Sequence, residues 1–128
     1  MRLLLLALLT GCPPSHGDCT TDGDCGGDVC TRDGQCTPAS EVRSVRLTWT
    51  IRGQPASAAS CASEPQLYVE VHDLSNGEQI GFEPVPCDQG LFNFDKLPTS
   101  YTEAALGLDS NSLHFAPIDT NNTAHFDL

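Results

Sequence analysis

The chain has 128 residues and a formal net charge of −11 at pH 7, with six Lys and Arg against seventeen Asp and Glu. That excess of carboxylates argues against nucleic acid as a partner and against any membrane binding that rests on attraction to anionic headgroups. Seven Cys in so short a chain point to an oxidising compartment, where disulfides make up for the limited core of a small domain.

Met1-Arg2 supplies one positive charge, Leu3 to Leu9 is an unbroken apolar run, and Thr10 and Gly11 are small. A charged start, a short apolar stretch and small residues before a cut describe an export signal. The run falls far short of the roughly 20 apolar residues that span a bilayer. Leu9-Thr10-Gly11-Cys12 resembles the lipobox of bacterial lipoproteins. The resemblance implies that residues 1–11 are a signal peptide, that the Cys12 thiol carries diacylglycerol, and that the new amino terminus is acylated. Residues 12–18 then form the lipidated Cys and its tether. Several acyl chains anchor stably where one holds only marginally. Inner-membrane retention in many such bacteria is signalled by Asp after the Cys; Pro13 stands here, so the outer membrane is the expected destination.

With Cys12 taken by lipid, six Cys remain, an even number that reads as three disulfides. Cys19 to Cys36 runs CTTDGDCGGDVCTRDGQC, with Val29 its only aliphatic residue. Such a segment has no apolar core and must be held covalently. Three pairings are possible, and the interleaved one, Cys19 with Cys30 and Cys25 with Cys36, compacts it best. The spacing lacks the close Cys pairs of structural zinc sites, so no metal is expected. Asp18, Asp22, Asp24, Asp28 and Asp33 are hard-oxygen donors, and calcium binding is the rival reading. No twelve-residue loop ending in Glu follows Asp22-Gly23-Asp24, which favours solvated turn residues. The string is similar to small Cys-rich modules that follow the anchor of other bacterial lipoproteins.

Residues 37–44, opening Thr37-Pro38-Ala39-Ser40-Glu41, read as a linker. Alternation then begins. Val45, Leu47, Trp49 and Ile51 share one face, which makes Trp49 a core residue. Leu67, Val69 and Val71 alternate with Tyr68, Glu70 and His72, and Asn76-Gly77 supplies a two-residue hairpin turn. That turn places Ser75 opposite Glu78, Val71 opposite Phe82 and Asp73 opposite Ile80. Phe92 and Phe94, then Ala104, Leu106 and Leu108, mark two further strands. Ala124, Phe126 and Leu128 form a last one, expected to pair with Leu113 to Ile118 across Asp119 to Asn122. Cys87 falls near Gln66 at the open end of the hairpin, where a loop can bring Cys61 to it. Closing such a loop stabilises by roughly 3–4 kcal/mol. The expected fold is all-β: a small antiparallel β-sandwich of about seven strands over residues 45–128, preceded by the disulfide-rich module.

The stretch LFNFDKLPTSYTEAALGLD carries a second resemblance. A Phe-rich strand, Leu-Pro-x-x-Tyr and an alternating strand are similar to sandwiches of the transthyretin-like, carboxypeptidase-regulatory or Cna-B type. Leu97-Pro98-Thr99-Ser100-Tyr101 is one residue shorter than the usual motif and lacks its Gly. Some of those domains form a Lys–Asn isopeptide bond. Lys96, in a turn here, is not assigned that role.

His16, His72, His114 and His125 form no metal-binding pair by spacing, and no nucleophile-elbow motif occurs. The resulting expectation is a lipid-anchored envelope lipoprotein whose sandwich binds or builds rather than catalyses, needs no cofactor, and meets an envelope protein or polysaccharide. A calcium-dependent surface adhesin is the alternative, and a small envelope enzyme the weaker one.

Overall fold

A computed structural model describes residues 19–109 and 111–128. Cys12, His16, Asp18 and the apolar run lie outside the described residues. Two short strands, β1 (Val29–Cys30) and β2 (Cys36–Thr37), pair antiparallel within the Cys-rich segment. The remaining strands build two facing sheets. One contains β3 (Val42–Ile51), β4 (Gln54–Pro55), β7 (Leu91–Pro98) and β10 (Thr123–Asp127); the other has the order β6 (Glu78–Pro86), β5 (Gln66–Asp73), β8 (Glu103–Gly107), β9 (Leu113–Pro117). The fold is all-β, and its only helical elements among the described residues are single 3₁₀ turns.

Alternation places the core. Val45, Leu47 and Trp49 of β3 face Leu67, Val69 and Val71 of β5, with Phe94, Leu97, Ala104, Leu106, Ala124 and Phe126 closing around them. Phe94 meets Phe82 and Phe92 edge-on between the sheets, and Phe82 and Phe92 are tilted to each other, with centroids 4.9–5.7 Å apart. Leu97 and Tyr101 are fully buried, and the Tyr101 amide closes onto the Pro98 carbonyl at 3.1 Å. The Leu-Pro-x-x-Tyr motif is therefore a core corner.

Three expectations are corrected. The β5–β6 register lies two residues from the expected one: Asp73 faces Glu78, Val71 faces Ile80 and Val69 faces Phe82. The cause is Asp73, which accepts from the Ser75 amide and hydroxyl, while the Gly77 amide reaches the Asp73 carbonyl at 2.9 Å. A four-residue loop replaces the two-residue turn, and Gly77 supplies its positive φ of 78°. Because the shift is even, the inward face is preserved. A bulge between Leu67 and Val69 brings Gln66 opposite Pro86.

The second correction concerns β10, which pairs parallel with β3 rather than antiparallel with β9. Ala124 and Phe126 sit beside Leu47 and Trp49, so the parallel pairing buries both on the core face. Asp119 accepts from the Asn121 and Thr123 amides at 2.9 Å, and Asn122 adopts φ 58°. This turn carries the chain from one sheet to the other.

The third concerns residues 37–44. Thr37 belongs to β2, Ala39–Glu41 is a 3₁₀ turn, and β3 begins at Val42. Val42 and Arg43 pair with Pro98 and Leu97, which draws the segment into the sheet.

Candidate functional site

All six described Cys are paired. Cys19–Cys30 and Cys25–Cys36 interleave within the Cys-rich segment, and Cys61–Cys87 joins the loop before β5 to the turn after β6. The sulfurs of Cys19, Cys25 and Cys30 lie within 4.8 Å of one another. Each is spent in a disulfide, so none is a thiolate that could ligate a metal. Several Asp carboxylates nearby serve local structure. Asp24 accepts from the Thr20 and Thr21 amides, Asp33 from the Thr31 hydroxyl, and Asp22 from the Cys30 amide at 2.9 Å.

The Cys-rich module docks on β7, through a bulge. Arg43 faces Leu97 but Val45 faces Phe94, so β7 carries one extra residue, and Lys96 takes φ 53°. The turned-out Lys96 carbonyl accepts the Arg32 amide at 3.0 Å. Lys96 Nζ meets both oxygens of Asp22 at 2.9 Å, and Arg32 pairs with Asp95. The hydrogen bond from Lys96 holds the Asp22 carboxyl below its usual range, and the one from Arg32 does the same for Asp95. The module thereby covers part of an edge strand that would otherwise offer free backbone groups.

The outer face of the second sheet holds a His–acid pair. Glu70 is only 4% exposed, and its Oε2 lies 2.7 Å from His72 Nε2. Phe115 meets the His72 ring edge-on at 5.6 Å. Tyr68 lies across Gly81, where a Cβ would stand 2.4 Å from the phenol oxygen, so a larger residue there would have to push the ring aside. His125 Nδ1 contacts the Thr48 hydroxyl at 2.9 Å on the other sheet, far from His72 in the strand order. The two His that lie on or beside the last strands are thus not brought together with His72 as a ligand set.

One end of the sandwich opens into a cavity of about 170 Å³. Ile51, Leu67, Leu108 and Leu128 line it with the Cys61–Cys87 disulfide, and Arg52, His114 and Glu64 stand at its polar margin. Trp49 backs the same region, its indole Nε1 donating to the Cys87 carbonyl at 2.8 Å. Trp49 is core. A second hollow at the opposite end is lined by Asp33, Glu41, Asp73 and Glu78, but Asp33 and Asp73 already hold neighbouring hydroxyls.

Sequence reasoning missed both Glu70–His72 and the cavity. The i, i+2 spacing of Glu70 and His72 places them on one face, which was readable; that this outward face is covered was not. The cavity is assembled from segments that no local pattern links. Comparison with protein-family models, curated proteins and solved structures returned no match. No helix among the described residues is long and apolar enough to cross a membrane.

Proposed function

We propose that the chain is a lipid-anchored lipoprotein of the bacterial cell envelope, placed in the outer membrane, with a β-sandwich that acts as a binding or structural module. The observation that carries this reading is the division of the Cys. Six are joined in three disulfides, and the seventh, Cys12, ends Leu9-Thr10-Gly11 after an apolar run. An odd Cys in an exported chain calls for a use, and lipidation supplies one. The three bridges suit an oxidising compartment. The partner would be an envelope protein or polysaccharide. The calcium reading draws less support, because Asp22, Asp24 and Asp33 are occupied by amides, hydroxyls and an ammonium.

Palmitate labelling tests the proposal. The wild-type chain should incorporate label and partition into detergent, and Cys12→Ser should do neither and remain uncut. Normal cleavage and membrane retention of Cys12→Ser would contradict it.

A further inference from the structure

Three described residues other than glycine adopt positive φ: Arg52, Lys96 and Asn122. Asn tolerates this region, and Lys96 is turned by the docking of the Cys-rich module. Arg52 is turned by a hairpin, with its amide donating to the Leu128 carbonyl at 2.7 Å and the Gly53 amide to Asp127 Oδ1 at 2.7 Å. It precedes Gly53 in the two-residue turn between β3 and β4, where Ile51 faces Gln54. The first position of such a turn favours Asn, Asp or Gly, and an Arg there is strained. The Arg52 side chain lines the mouth of the 170 Å³ cavity.

Charge adds to this. Of the five basic side chains among the described residues, Arg32 and Lys96 are committed to Asp95 and Asp22, Arg43 donates to Asn122 and the Tyr101 carbonyl, and Arg46 lies away from the cavity, beside Asn93 and Thr123. The Arg52 guanidinium makes no hydrogen bond or ion pair within the described chain, although the chain as a whole is strongly acidic. His114 stands on the same rim and offers a second ring N–H donor. The cavity itself is walled by aliphatic side chains and a disulfide. Its size resembles the cavity of about 150 Å³ that accepts benzene, and it is smaller than the few hundred Å³ of sites that swallow a whole ligand. Only a short tail can enter, and the head must stay at the mouth. Glu64 on that rim disfavours a head with a second negative charge.

We propose that this cavity binds the tail of a small monoanionic amphiphile, a short-chain carboxylate in its simplest form, with the head held by Arg52 and His114. Binding would proceed with or without lipid on Cys12, so its failure would leave the anchor reading intact.

The test uses residues 12–128 carrying Cys12→Ser, exported behind a separate cleavable leader into an oxidising compartment and titrated with hexanoate, 1-hexanol and acetate while amide NMR shifts are followed. Hexanoate should move the Leu67, Cys87 and Leu108 amides and saturate at about fivefold lower concentration than 1-hexanol, the scale of one exposed ion pair. Acetate should move none of them. Arg52→Gly, which suits the backbone, should keep or raise the thermal midpoint and bring hexanoate to the level of 1-hexanol. Leu108→Trp, at an exposed lip, should block both. Absence of hexanoate shifts at these amides, or an undiminished preference for hexanoate in Arg52→Gly, would overturn the proposal.

Discussion

Lys96 Nζ bridges both carboxylate oxygens of Asp22 across 74 positions of sequence, at 2.9 Å each. The contact fixes the Cys-rich module to a bulge in β7, so the two parts of the chain share an interface. It also makes a sharp comparison possible. Lys96 pays for its reach with a left-handed backbone, which costs roughly 1–2 kcal/mol in any residue with a Cβ. Lys96→Ala keeps that strain and loses the pair, whereas Lys96→Gly loses the pair and the strain together. Chemical denaturation should therefore find Lys96→Gly more stable than Lys96→Ala by about 1 kcal/mol. Equal stabilities would show that the bulge relaxes when the module is released.

Acid should loosen the same interface. Asp22 and Asp95 titrate below the ordinary carboxylate range because Lys96 and Arg32 hydrogen-bond to them, and Asp73 does so because the Ser75 and Ser100 hydroxyls donate to it. A carboxyl whose folded pKa is depressed adds stability above its unfolded value and loses it as pH falls through the folded one. Stability should hold down to about pH 4 and decline below it. Asp73→Asn should start lower at neutral pH and fall less steeply in acid. A parallel acid limb in wild type and Asp73→Asn would remove Asp73 from this account.

Much of the fold was legible because burial is written in alternation. Val45, Leu47, Trp49 and Leu67, Val69, Val71 announce two strands and their inward faces. Pairing was less legible, since it is decided by side chains that local pattern does not weigh. Asp73 turns an Asn-Gly hairpin into a four-residue loop by capping it, and pairing with β3 buries Ala124 and Phe126 of β10 beside Leu47 and Trp49. The cavity mouth was least legible of all. Arg52-Gly53 between two extended segments was a readable turn, yet nothing local reveals that Leu108 and His114 stand beside it.

The Cys61–Cys87 bridge closes 26 residues between the loop before β5 and the turn after β6. Replacing both Cys by Ala should lower the stability of the chain by about 2–4 kcal/mol, the range for native bridges in small exported domains. Denaturant melts would measure it. It should also weaken any cavity ligand, because the disulfide forms part of the wall. An unchanged melt would mean that the Trp49–Cys87 hydrogen bond and the flanking strands hold this end unaided.

Tyr101 offers a test at the alkaline end. Burial, with the carboxylates of Asp33, Glu78 and Asp73 adding to it, pushes its phenol up to about 12. A group raised in the folded state adds stability below its unfolded pKa and loses it as pH rises through the folded value. Ultraviolet titration should show one of the two Tyr ionising late, together with loss of the fold between about pH 10 and 12. A Tyr101 phenol titrating near pH 10 in folded protein would contradict its core placement.

On the proposed reading, one Cys carries lipid and six hold the fold in three disulfides. Intact-mass spectrometry of the membrane-extracted protein, after alkylation without reduction, addresses it most directly. The expected species begins at Cys12, is heavier by one diacylglyceryl and one acyl group, and has no alkylated Cys until reduction exposes six. A chain with Cys12 free and alkylated, or with Cys12 in a disulfide, would contradict it.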